Sequence, residues 1–323
     1  MGYYFVMLVI VIIVGYYAKQ SLVFGGNSLS QTESYRTPIT VLCLVIIIIS
    51  MTFLAAVRYH VGTDFKSYEV IYYQTKDTPF SIQNLTDEPV TMFIAKLCAY
   101  FSDNVQWFFI VFSALTIVPV LVSSYRETDD YIFVTLLLVF IGWWTGTFNG
   151  MRQYLAITVI YCGRKFIKER SLTKYLLVCA IAYLCHKSSI VMVALYFLPS
   201  PTFRPLRVVM VVVASVLLSR STEILFEVVG FLNNREFVSN SYAATNVSFF
   251  RIAVGCVPAA LALYCAYTRE LDNDQYFYMY MLVANATLRV MTSNSAYLAR
   301  IASFPGVFVP IGLSRTLESF DEG

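Results

Sequence analysis

The sequence predicts an all-α polytopic membrane protein with about ten or eleven transmembrane or re-entrant helices, and three observations carry that reading. Hydrophobic residues make up 58% of the 323-residue chain, and charged residues only 13%. Mean hydropathy is +0.65, whereas a soluble domain of this length needs far more charge to stay in solution. The apolar residues run continuously for the length of a membrane-crossing helix; they do not alternate as in the strands of a β-barrel.

Each element follows from an apolar run of roughly 20 residues or a recognisable fragment of one. Candidate spans cover 3–18, 38–57, 105–123, 131–148, 151–167, 174–199, 206–218, 249–268, 275–292 and 296–313. The run from Gly2 to Tyr17 has no basic leader region and no small-residue cleavage site, so it reads as a retained span. Segment 90–101 is short and interrupted by Lys96, which suits an amphipathic interfacial helix or a re-entrant piece. Run 174–199 is interrupted at His186-Lys187-Ser188-Ser189 and reads as two half-helices. At about twelve residues, or ~18 Å, each half is short for the hydrocarbon core; if 174–199 instead crosses once, the sidedness of everything after it flips. No polar stretch is long enough to bury its own core, so 1–323 reads as a single transmembrane domain with external segments 58–89 and 219–248.

Charge sets sidedness more than binding. A net charge of +3 is too small and too dispersed to indicate nucleic acid. Arg164, Lys165, Lys168, Arg170 and Lys174 form a dense basic linker, which marks a cytoplasmic loop by the positive-inside preference. Arg126, Arg204, Arg207 and Arg315 fit the same side, and this count puts 58–89 and 148–151 on the opposite face. The seven cysteines lie in apolar stretches without a C-x-x-C pair, so packing is the expected role and neither a metal nor a disulfide is indicated.

Chemistry is expected where polar residues stand at the edges of these runs, because a charge at a membrane boundary needs satisfaction. Arg58 and Gly62-Thr63-Asp64 follow a strong span; Gly62 supplies a turn, and Thr63 and Asp64 can cap the next helix. Arg58 either snorkels, with Asp64 as its exposed counter-ion, or binds an anion. Asn149-Gly150-Met151-Arg152-Gln153 joins two spans with almost no loop. Asn149 can cap a helix, but capping does not explain Arg152, which stands against the positive-inside preference and implies an anionic partner. His186 is either a hydrogen-bonded packing residue or a general base lining a cavity at a helix break. Arg289 and Arg300 can snorkel or join a guanidinium clamp on a diphosphate. Asp272-Asn273-Asp274 reads as a solvated loop, not a metal site. The 219–248 segment, with Glu223, Glu227, Arg235, Glu236 and several aromatics, suits carbohydrate.

At these residues the chain resembles the EpsG-like family of Wzy-type O-antigen and exopolysaccharide polymerases. The matching features are Arg58 before Gly62-Thr63-Asp64 and Tyr68, then Asn149-x-x-Arg152-Gln153, the basic linker, and His186-x-Ser188. Lys187 within the His element is a departure from the pattern. The resemblance implies a GT-C-like membrane glycosyltransferase that needs no metal and no cofactor. It would join polyprenyl-diphosphate-linked oligosaccharides on the outer face of the bacterial inner membrane, with the lipid bilayer as its surroundings and a chain-length regulator as an admissible partner. In that setting Arg58, Arg152 and Arg300 would hold the diphosphate, whose developing charge fixed cations stabilise. His186 would act as base with Asp64 as an orienting group, and Asn149, Gln153 and Tyr68 would position sugars or guanidinium groups. A lipid-linked oligosaccharide flippase and a membrane O-acyltransferase are the rivals. The polar groups cluster toward one face, which disfavours transport, and the acyltransferase has only His186 to support it.

Overall fold

A computed structural model describes residues 2–24, 37–78, 88–221, 226–227 and 246–321. Among these residues all regular structure is helical, and the chain divides into two compact units, Met1–Thr158 and Val159–Gly323. Most of the segment expected to face carbohydrate, including Glu223, Arg235 and Glu236, lies outside the described residues.

The first unit contains α1 (Gly2–Phe24), α2 (Pro38–Ala56), α3 (Phe65–Asp77), α4 (Pro89–Phe101), α5 (Gln106–Glu127), α6 (Tyr131–Phe140), the single turn α7 (Trp143–Gly146) and the start of α8 (Met151–Cys162). α2 begins where the Thr37 hydroxyl accepts from the Thr40 amide and Pro38 takes the first turn. Its buried positions, Thr40, Cys43, Leu44, Ile47, Met51 and Ala55, recur every three or four residues and pack against α1 and α5. The opposite face exposes Leu42, Val45, Ile49 and Phe53. A large apolar face of that kind is stable in lipid, not in water. Together with α5 and α13 of the second unit, α2 is one of three described helices long and apolar enough to cross a membrane.

The expected span 131–148 is not continuous. α6 stops after ten residues, Gly142 turns left-handed at φ 79°, and α7 follows as one turn. At 1.5 Å per residue α6 reaches only ~15 Å, half the hydrocarbon thickness. The indole of Trp144 donates to the Met51 carbonyl at 3.2 Å, which ties α7 to the core side of α2. Lys96, the interruption in 90–101, reaches from α4 to the last carbonyls of α3, at Lys76 and Thr78. A cation there satisfies carbonyls that a helix end leaves open.

The second unit contains α9 (Lys165–Lys168), α10 (Leu172–Cys185), a 3-10 turn (Lys187–Ile190), α11 (Val191–Leu195), α12 (Pro205–Ser219), α13 (Phe249–Thr268), α14 (Asn273–Met291), a 3-10 turn (Leu298–Ala302), α15 (Ser303–Gly306) and α16 (Val309–Asp321). α14 is the pillar of this unit: every residue from Phe277 to Leu288 is buried, with α12, α13 and α16 packed around it. The break at His186 is present as expected, although the second piece is only a 3-10 turn and five helical residues. The expected span 296–313 is broken as well. Pro305 and Pro310 lack the amide donors that a continuous helix there needs.

Two charge clusters receive structural explanations here. Asp272 is the N-cap of α14: it accepts from the Gln275 amide at 2.7 Å while the Gln275 side chain accepts from the Asp272 amide at 2.9 Å, a capping box. Asp274 pairs with Lys168 at 3.0 Å. The tripeptide is therefore a helix start, not a loop. Arg164 is not a solvated linker charge either. It is buried, donates to the Tyr161 carbonyl at 2.8 Å and lies 4.2 Å over the Tyr161 ring.

Candidate functional site

Four stretches of the first unit meet at one corner: the end of α2, the start of α3, the start of α4 and the turn between α7 and α8. The loop after α2 turns at His60 (φ 53°) and Gly62 (φ 99°), both left-handed. Gly62 is required on two grounds. L side chains rarely adopt its backbone conformation, and a Cβ there would stand 2.7 Å from the Asn149 side-chain oxygen and 3.0 Å from the Phe148 carbonyl. The backbone can thus approach Asn149 closely, and the Asn149 oxygen accepts from the Thr63 amide at 2.8 Å and the Thr63 hydroxyl at 3.4 Å. Asn149 joins two loops that are 86 residues apart in sequence.

Asp64 stands at the N-cap position of α3 without a side-chain capping bond, which corrects the expectation that its carboxylate caps the helix. That carboxylate instead accepts from the Thr63 hydroxyl at 3.1 Å.

Arg58 is the least expected member. It does not snorkel; its residue is 2% exposed. Nη1 donates to the Thr147 carbonyl at 3.5 Å, Nη2 meets the Met151 sulfur at 2.7 Å, and Nε has no hydrogen-bond partner among the described residues. The guanidinium carbon lies 4.8 Å from the centre of Phe109 and 5.4 Å from that of Phe148. Two aromatic faces, a thioether and one long carbonyl contact are weak compensation for a desolvated cation. Burial accordingly pulls the Arg58 pKa down to about 10, with a smaller opposing effect from Tyr68.

Arg152, one turn into α8, has a different setting. Nη1 pairs with the Glu88 carboxylate at 2.5 Å, and its guanidinium lies 5.9 Å over the Tyr68 ring. Its side chain is 38% exposed against 11% for that of Glu88, so the carboxylate is inside and the cation reaches the surface. Tyr68 is buried, which raises its phenol pKa despite the neighbouring Arg152, and it acts electrostatically on both arginines. The anion implied by the position of Arg152 is thus found within the chain at Glu88. Nothing local in the sequence singles out Glu88, a carboxylate before Pro89. The only available signal was the unmet need of Arg152 for a partner.

Gln153 is buried on α8. The remaining expected residues belong to the second unit. His186 is half-buried at the end of α10, its amide donating to the Ala182 carbonyl at 2.9 Å and its carbonyl accepting from the Ser189 amide at 3.0 Å. Arg300 is exposed on the 3-10 turn before α15. Arg289 is held on α14, where its Nε donates to the Asn285 side chain at 2.9 Å. Among the described residues no three His, Cys, Asp or Glu side chains gather in a way that could hold a metal ion.

Long apolar helices with lipid-suited faces define a helical membrane protein, with two arginines gathered at one corner of its first unit. Residues 41–322 match the EpsG family, and the chain belongs to that family. Membership makes it a membrane protein of the polysaccharide-polymerase type. No curated protein and no solved structure matches the chain.

Proposed function

We propose that the chain is a membrane glycosyltransferase of GT-C-like architecture, in the multi-pass manner, in the bacterial inner membrane. It polymerises polyprenyl-diphosphate-linked oligosaccharide repeat units into O-antigen or exopolysaccharide on the outer face. The observation that carries this reading is the pair of guanidinium groups sharing Tyr68, one of them buried without a carboxylate partner among the described residues. A diphosphate is the anion whose charge and geometry suit two such groups.

In the reaction an acceptor hydroxyl attacks C1 of the growing glycan, the C1–O bond to the carrier breaks, and the diphosphate leaves with both electrons. Arg152 stabilises the leaving charge directly, and the field of Arg58 adds to it in a water-poor setting. Arg300 is a third cation for the same group. His186 takes the acceptor proton, Asp64 orients the loop through Thr63, and Asn149, Gln153 and Tyr68 hold the guanidinium groups and sugars in place. The transfer uses no metal, and a chain-length regulator is a compatible partner.

The test is complementation of a strain lacking the gene. Arg152→Ala and His186→Ala insert at normal levels, yet leave single repeat units on the lipid A-core where the wild type gives a ladder. Removal of one stabilising donor slows the transfer roughly a hundredfold, or ~3 kcal/mol. Full ladders from either variant remove that residue from the mechanism.

A further inference from the structure

We propose that Glu88 is an internal stand-in for the substrate phosphate: its carboxylate holds Arg152 in the empty protein and is exchanged for a phosphate oxygen when the carrier diphosphate binds. The inference rests on the diphosphate reading of the corner given above, and it assigns Glu88 the role of positioning residue.

Four features of the corner support it. The pair is short, at 2.5 Å, and involves Nη1 of Arg152. The carboxylate is the more buried partner, so a ligand arriving from the surface meets the guanidinium first. Glu88 supplies one negative charge to a corner containing two guanidinium groups, and among the described residues Arg58 makes no contact with a carboxylate. A diphosphate ester brings about two charges and more acceptor oxygens than a carboxylate, so it satisfies the corner better than Glu88 does. Finally, Glu88 immediately precedes Pro89 at the head of α4 and makes no side-chain capping bond to that helix. Its carboxylate therefore does not serve as a cap for α4.

Exchange also provides product release. After transfer the carrier diphosphate still bears its charge, and a bare Arg152 with the field of Arg58 behind it would retain it. A carboxylate that regains Arg152 competes with the product and shortens its stay. Without that competitor, binding tightens and repeated turnover slows, whereas a purely structural ion pair would loosen the site when broken.

The experiment uses the full chain in nanodiscs, titrated calorimetrically with farnesyl diphosphate, inorganic diphosphate and farnesol. Glu88→Gln, nearly isosteric, is expected to bind farnesyl diphosphate at least about tenfold more tightly than wild type and to leave farnesol unchanged. Glu88→Asp, with a shorter reach, falls between the two and serves if the glutamine variant folds poorly. Arg152→Ala weakens binding, and in that background Glu88→Gln brings no gain, since both residues act through one contact. Equal tightening toward inorganic diphosphate assigns the gain to the anion alone. Tightening confined to farnesyl diphosphate assigns it to the lipid-borne anion, and both results uphold the exchange. If Arg152→Ala abolishes binding but Glu88→Gln binds no tighter than wild type, the exchange is overturned and the diphosphate site stands. If Arg152→Ala binds like wild type, or nothing binds at all, the diphosphate site itself falls and takes the role of Glu88 with it.

Discussion

Arg58→Met separates what the buried charge costs the fold from what it contributes to chemistry. The guanidinium has a long carbonyl contact, a thioether and two rings around it, with Nε unpartnered. Burial takes its pKa from the ordinary guanidinium value to about 10. At about 1.4 kcal/mol per pH unit, that displacement corresponds to roughly 3 kcal/mol of desolvation cost while the group stays charged. Loss of the two cation–π contacts gives back roughly 1–2 kcal/mol, so a methionine of similar length leaves a net gain of about 1–2 kcal/mol. The sign with pH follows from linkage. The folded pKa is the lower one, so the unfolded chain binds the proton more tightly and stability rises with pH only between about 10 and the ordinary guanidinium value. The gain is therefore the same at pH 6 and pH 9. Thermal unfolding in nanodiscs, followed by tryptophan fluorescence, should show the variant melting at or above the wild-type temperature. Membranes containing it should make about a hundredfold less polymer. A clear fall in melting temperature would show Arg58 to be a structural brace, and an intact ladder would show its charge to be irrelevant to transfer.

Gly62→Ala should destabilise by about 1–2 kcal/mol from its left-handed backbone alone. It should also push the Asn149 oxygen off the Thr63 amide; adding Asn149→Ala to it should then cost less than the two single effects together, as read from melting temperatures. Asp272→Ala removes the capping box of α14 and should cost about 1 kcal/mol in melting while leaving ladder length unchanged. Asp274→Asn breaks a part-exposed pair with Lys168 and should shift stability by less than about 1 kcal/mol with polymer output intact. Lost polymer in a well-folded Asp274→Asn protein would restore the tripeptide as a functional candidate.

Helix content, the lipid-suited faces of α2 and α13, and the break at His186 were all legible in the chain, because apolar runs and interruptions are local facts of composition. So was the approximate address of the corner: Arg58, Gly62, Asn149 and Arg152 stood out as polar residues at the edges of such runs, and the structure gathers them in one unit. The broken forms of 131–148 and 296–313 were harder to see. A glycine or a pair of prolines in a hydrophobic run leaves mean hydropathy almost unchanged while removing helical backbone geometry or donors.

Tertiary structure alone decided how each charge is satisfied. Nothing near Arg58 in sequence says that Phe109 and Phe148 will enclose it, and nothing near Arg152 names Glu88 as its partner. A sequence displays which residues are costly to bury, since that cost belongs to the side chain itself. What offsets the cost depends on groups brought within a few ångströms by helix packing, and segments 86 to 93 residues apart meet here only because helix ends of the first unit come together at one corner.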